Sequence, residues 1–361
     1  MKTKNNQTIP YPRLTIRRKI LGIIGKTLLA ILTRPQVEGI ENIPKEGPVI
    51  LAGNHVSTLE PVFMFLHSKP PVEPMGAGDM PFEGVIDHIV NFYGYIPVNR
   101  GKLDRNAMNQ ALSVLNQKGF LGIYPEGGTW DPGNMPAQIG VAWLSHKAQA
   151  RVVPIAFSGF RGSWGKIFKL KRPKLGMTVG KVIPPLNAEN DPRPIKEIYQ
   201  EYADTVLERI HELVDPADML AVPCKSEFDL LALSTHGETI PLPGNDVVAQ
   251  FFHNPVLLDS LFINLKRPIK VLYPGEQQRS RSEFIRALES IPEVLEENAG
   301  FFTYRLGMER GMQLQEALQN LKRFLEALPA GEGLVLRANA RYQYRDGRVE
   351  TISSDYDLSA A

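Results

Sequence analysis

Between residues 48 and 214, short apolar runs alternate with stretches whose apolar positions recur every three to four residues. The runs at 48–52, 95–98, 120–124, 151–157 and 175–182 read as strands. Segments 60–66, 85–92, 104–117, 141–146 and 195–214 read as helices between them. The clearest carries Ala107, Met108, Ala111, Leu112 and Leu115 on one face and stops at Gly119. Pro61 suits the first turn of the helix at 60–66, and Ser57 or Thr58 is placed to cap it. Strands alternating with helices predict an α/β domain over residues 35–220, with a central, mostly parallel sheet flanked by helices. In such a sheet the functional loops lie at the carboxyl ends of the strands.

The pattern changes after 215–223, where Pro216 and Pro223 break it. Beyond the break, 256–265 and 269–272 read as strands, and 282–297 and 312–328 as helices. Segments 334–345 and 348–353 form a hairpin turned by Asp346-Gly347. Residues 225–361 are thus expected to be a second, smaller α+β unit, and no catalytic motif is legible in them.

Charge singles out the other end. The formal net charge is only +2, yet eight Lys and Arg lie in residues 1–37 and the first acid is Glu38. The rest of the chain holds 33 bases against 39 acids. A basic tip on a mildly acidic body points to an anionic partner. Within it, residues 14–32 read as a helix in which Arg17, Arg18, Lys19 and Lys26 are set among Ile, Leu and Gly. The apolar run at 20–32 is 13 residues long and interrupted by Lys26, too short for a spanning helix, which needs about 20. Residues 1–34 are therefore expected to be an amphipathic segment lying on a bilayer surface. Gly22 and Gly25 weaken that helix by roughly 1 kcal/mol each, so a packing surface is needed to hold it. The single cysteine, Cys224, permits no intrachain disulfide and fits a reducing compartment.

Four blocks carry candidate chemistry: Asn54-His55-Val56-Ser57-Thr58-Leu59-Glu60-Pro61, Gly94–Arg100, Tyr124–Thr129 and Val152–Ala156. His55 is a candidate general base, because a neutral imidazole accepts a proton near pH 7. Glu60 is placed to fix its tautomer and to stabilise the imidazolium. On one continuous helix a separation of five residues puts side chains roughly 140° apart, so His55 belongs in the turn and Glu60 at the helix start. Arg100 presents a planar fork suited to a phosphate. Glu126 projects from a strand end, where Gly127 lets a substrate approach the backbone.

In this order and spacing the blocks resemble those of the glycerolipid acyltransferases typified by lysophosphatidic acid acyltransferase. The resemblance covers residues 35–215. It implies acyl transfer from acyl-CoA or acyl-carrier protein to a hydroxyl of a lysophospholipid or glycerol phosphate, as in phospholipid biosynthesis, without metal or cofactor. It implies that His55 and Glu60 are catalytic, that Arg100, Glu126, Gly127 and Thr129 bind the acceptor, and that the protein is peripheral or monotopic on the cytoplasmic face of a membrane. The chain departs from the family in two places. Glu60 stands where the family has Asp, and Glu126-Gly127-Gly128-Thr129-Trp130 replaces Glu-Gly-Thr-Arg. The missing arginine leaves room for a non-phosphate lipid acceptor, and both departures for a lipid-binding protein without turnover. No Gly-x-Ser-x-Gly elbow, Walker loop, Gly-x-Gly-x-x-Gly fingerprint or zinc-ligand spacing is present. The basic tip lacks the interleaved aromatics of a nucleic-acid reader. Oligomeric state is not legible.

Overall fold

The computed structural model describes residues 8–69, 71–78, 90–99, 103–127, 137–189, 191–234, 238–240, 242, 245–253, 258, 270–273, 279–297, 306, 308–329 and 332–358. Contacts divide the described chain into two units, the first ending at Val222 and the second running from Pro223.

The first unit is built on a seven-stranded sheet. Its strands are β1 (Arg34–Glu38), β2 (Val49–Gly53), β3 (Val72–Ala77), β4 (Ile96–Val98), β5 (Phe120–Ile123), β6 (Arg151–Ser158) and β7 (Lys174–Val179), in the spatial order β1-β7-β6-β2-β5-β3-β4. From β6 to β4 every pairing is parallel, and β1 pairs parallel with β7. The β6–β7 pairing is antiparallel and makes the sheet mixed. The α/β fold with its mostly parallel sheet is thus present.

Both faces are covered, as a parallel sheet requires. Because side chains alternate across a strand, Ile50 and Ala52 of β2 enter one core and Val49 and Leu51 the other. The first core is closed by α3 (Arg105–Asn116), α4 (Gly140–Ala148) and α6 (Ile195–His211). Phe63 and Met64 of α2 (Glu60–His67), with Leu29 of α1 (Thr15–Leu32), close the second. Helix α5 (Ser163–Phe168) follows β6 and sends Ile167 into that second core. Asp104 caps α3 by accepting a hydrogen bond from the Ala107 amide.

Helix α1 forms where expected but is no free-standing tip. Arg18 is buried rather than turned to solvent. Its guanidinium donates to both carboxylate oxygens of the fully buried Glu73 on β3, at 2.8 and 3.0 Å, and to the carbonyls of Tyr93 and Gly94. Arg13 donates to the same carboxylate at 2.8 Å. Gly25 permits the close approach to α2, because a β-carbon there would lie 2.9 Å from Leu66. The opposite face of α1 exposes Ile16, Ile20, Ile23, Ile24, Leu28 and Ile31.

Strands β1 and β3 escaped the sequence reading because each contains a proline, Pro35 or Pro74, which reads as a breaker. Pro35 lies on the edge strand, where a missing amide is tolerated. The helix expected at 85–92 is described only at 90–92, where it is helical.

The second unit carries an antiparallel sheet of β8 (Pro223–Ser234), β9 (Thr239–Ile240), β10 (Leu334–Tyr344) and β11 (Val349–Asp357), in the order β11-β10-β8-β9. Among its helices, Asn245–Phe252, Arg281–Glu289 and Met308–Ala327 pack their apolar faces into one core with the sheet. The hairpin turns at Asp346-Gly347, with Gly347 at φ +85°. Two expectations are corrected. The segment expected as a strand at 269–272 is a 3₁₀ turn over Lys270–Leu272, since so short an apolar run does not distinguish the two. The single helix expected at 282–297 is two, broken at Ser290, with Pro292 entering the second at a first-turn position. The strand expected at 256–265 lies outside the described residues except for Leu258, which is helical.

Candidate active site

Strand β2 lies between β5 and β6, and all three run parallel. The chain leaves β2 for elements on one side and later returns to its other side, so a crevice opens at the carboxyl ends of these strands. His55 follows the end of β2 by two residues, and Glu126 follows the end of β5 by three.

The turn is anchored first by Asn54. Its buried amide donates to the Phe157 carbonyl at 3.1 Å and accepts from the Phe157 amide at 2.7 Å, tying β2 to β6 as a further ladder rung would. Replacing Asn54 with alanine orphans two buried backbone groups. It is expected to lower stability by roughly 2–4 kcal/mol, read as the urea unfolding midpoint, and a loss below about 1 kcal/mol would refute this role.

Glu60 is fully buried at the first position of α2. Its carboxylate accepts the Val56 amide on Oε1 and the Ser57 amide on Oε2, both at 3.0 Å. Oε2 also lies 3.5 Å from Nδ1 of His55. The residue therefore closes the turn on itself: one carboxylate holds the backbone on either side of Val56 and faces the imidazole. Neither Ser57 nor Thr58 caps α2 as expected. Leu59 is the N-cap residue and makes no side-chain cap bond, and Ser57 Oγ accepts from the Leu59 amide.

His55 keeps 18% of its side chain accessible, and Nδ1 is the nitrogen buried toward Glu60. The ring stacks on Tyr124, with centroids 4.4 Å apart and planes at 28°. The sequence reading placed Tyr124 at the end of a strand and at the head of the third block but gave it no role. Burial pushes its phenol well above the ordinary range, and the charge of Glu60 adds to the effect, so it stays neutral against the imidazole.

Glu126 is 2% exposed. Its Oε2 accepts the backbone amide of His55 at 3.0 Å, and Oε1 lies 3.3 Å from Nε2 of His211, in the last turn of α6. The first and third blocks are thus joined through a carboxylate, and His211, missed in the sequence, joins them from 85 residues away. A lone histidine at a helix end carries no motif that would have singled it out. Gly127 has φ +75°, a left-handed conformation that suits glycine, and returns its amide to the Tyr124 carbonyl at 2.8 Å. Trp164 of α5 donates its indole N–H to Thr58 Oγ1 at 3.0 Å, a contact with the turn between His55 and Glu60. Arg100 and Thr129 lie outside the described residues. Among the described residues no three His, Cys, Asp or Glu side chains converge as a metal site would require.

A buried carboxylate behind an accessible histidine, at the strand ends of a parallel sheet, defines an α/β protein with a His–carboxylate dyad. Residues 34–158 match the model of the Acyltransferase family. A 1-acyl-sn-glycerol-3-phosphate acyltransferase of Borreliella burgdorferi is 29% identical over 93 residues, which is 25% of this chain and 37% of that one. The match thus spans little more than a third of that relative. A solved structure, the 1-acyl-sn-glycerophosphate (LPA) acyltransferase PlsC from Thermotoga maritima, is similar with a TM-score of 0.38 and 17% identity, over 56% of this chain and 84% of that one.

Proposed function

We propose that this chain transfers a fatty acyl group from a thioester, acyl-CoA or acyl-carrier protein, to a hydroxyl of a lysophospholipid or glycerol-phosphate-like acceptor. The observation that carries the reading is the Nδ1 to Glu60 approach of 3.5 Å in a turn whose carboxylate is already pinned by two amides. With Nδ1 turned to Glu60, Nε2 is the nitrogen left for the acceptor hydroxyl. It takes the hydroxyl proton as the oxygen attacks the thioester carbonyl, and the Glu60 contact tightens as the imidazolium forms. The proton then passes to the thiolate as it leaves.

Glu126 holds the His55 backbone and, with Gly127, lines the acceptor side. Arg100 and Thr129 join that set on the strength of the sequence alone. The exposed isoleucine face of α1 would lie on the bilayer from which the lipid acceptor comes. Among the described residues no helix is long and apolar enough to cross a membrane.

The test is release of thiol from labelled acyl-CoA and acyl-carrier protein, with lysophosphatidic acid in mixed micelles. Turnover with either donor is expected, and its absence with both would refute the reading. Arg100→Ala is expected to raise the acceptor KM about tenfold or more with little change in kcat, since it removes a phosphate contact. An unchanged KM would favour a non-phosphate acceptor, the reading motivated by Trp130 in place of the family arginine.

A further inference from the structure

We infer that residues 161–174 form a second bilayer-docking element, beside α1, which sets the catalytic turn against anionic lipid. The inference rests on the membrane-surface reading above. Six of these 14 residues are Lys or Arg, and none is acidic. Three large apolar side chains stand out among them: Trp164 is 40% exposed, Phe168 78% and Leu170 75%. Trp164 and Phe168 stack at 5.9 Å, making one apolar ridge on the outer side of α5, while Ile167 on the inner side enters the core.

Leu170 is held outward at φ 53°, a left-handed conformation unusual for leucine, by backbone bonds from Leu170 to Ile167 and from Lys171 to Lys166. A bulky apolar residue kept exposed in a disfavoured conformation indicates a contact surface. An exposed tryptophan with aliphatic and aromatic neighbours, in a segment of exposed lysines, suits a lipid headgroup region: rings at the interface and ammonium groups on phosphates.

Two observations fix the occupant. Arg172 donates to the Ala30 carbonyl at 2.9 Å and to the Thr33 carbonyl, so the segment is tied to the end of α1, whose outer face carries the exposed isoleucines. The indole N–H of Trp164 meets Thr58, two residues from Glu60, so a lipid reaching this ridge is already at the turn bearing His55. An acidic carrier protein would match the lysines, but it leaves the apolar ridge and its continuity with α1 unexplained.

The full chain is tested by co-sedimentation with vesicles of phosphatidylcholine alone and of a phosphatidylcholine–phosphatidylglycerol mixture, without substrates. Wild type is expected to prefer the anionic vesicles. The doublet Phe168→Ser/Leu170→Ser and the triplet Lys166→Glu/Lys169→Glu/Lys171→Glu should each weaken that binding at least tenfold, or about 1.4 kcal/mol. The triplet should also lose the salt dependence. All five side chains are exposed, so both variants should keep the wild-type circular dichroism and melting temperature.

Wild-type binding by both folded variants would overturn the inference. So would unchanged vesicle binding with activity lost only when acyl-carrier protein is the donor, which would make the patch a carrier-protein site. A failure of the acyl-transfer reading is distinct: wild type would then bind vesicles and give no turnover.

Discussion

His55→Ala is expected to lower kcat for acyl transfer by about 10³-fold, within the range that a positioned general base contributes. The fold should survive. The ring is partly accessible, while the bonds that hold the turn are made by the His55 backbone amide to Glu126 and by the Val56 and Ser57 amides to Glu60. None of these involves the imidazole. Unchanged circular dichroism and melting temperature with turnover lost is therefore the expected pair of results. Turnover within tenfold of wild type would remove the base from the mechanism. Glu60 accepts two amides of its own turn from the first position of α2, and its Oε2 lies 3.5 Å from Nδ1.

Glu73→Gln is expected to have the largest effect on stability, a loss of about 3–5 kcal/mol, because it leaves the buried guanidinium of Arg18 and the half-buried one of Arg13 without their counter-charge. For a domain of this size the melting temperature should fall by roughly 10 °C. The consequence is local as well as global. The carboxylate clamps α1 to β3, and its removal should expose α1 to limited proteolysis before the rest of the first unit. A fall of less than about 2 °C, with α1 still protected, would mean that apolar packing alone holds the helix.

The two roles of the N-terminal cations illustrate how far sequence reasoning reached. A run of eight bases without an acid was legible as an electrostatic feature, and α1 was legible as a helix. Which of those bases faces out was not. Arg18 is turned inward by a glutamate 55 residues away, and the only sequence trace of that partner is an acid in a stretch broken by Pro74. The same limit applies at the site. Asn54 through Glu60 are consecutive, so the turn and its chemistry could be read directly. Tyr124 and His211 come to the turn only through strand order and the packing of α6; Tyr124 heads the third block without a role legible there, and His211 lies outside every block.

The features legible along the chain were local: the periodicity of the helices, the buried strands, the His–Glu turn and its likeness to one family. Such features depend on neighbours within a few residues, whose geometry the backbone fixes. Tertiary structure alone decided that β2 lies between β5 and β6, that Glu126 closes on the His55 amide, and that Arg18 is buried on Glu73. It also brought Trp164 to the turn between His55 and Glu60, and Arg172 to the end of α1. Each is a contact between residues far apart in the chain, selected by burial of apolar faces and pairing of buried charge, and pattern along a sequence does not encode which distant partner is chosen.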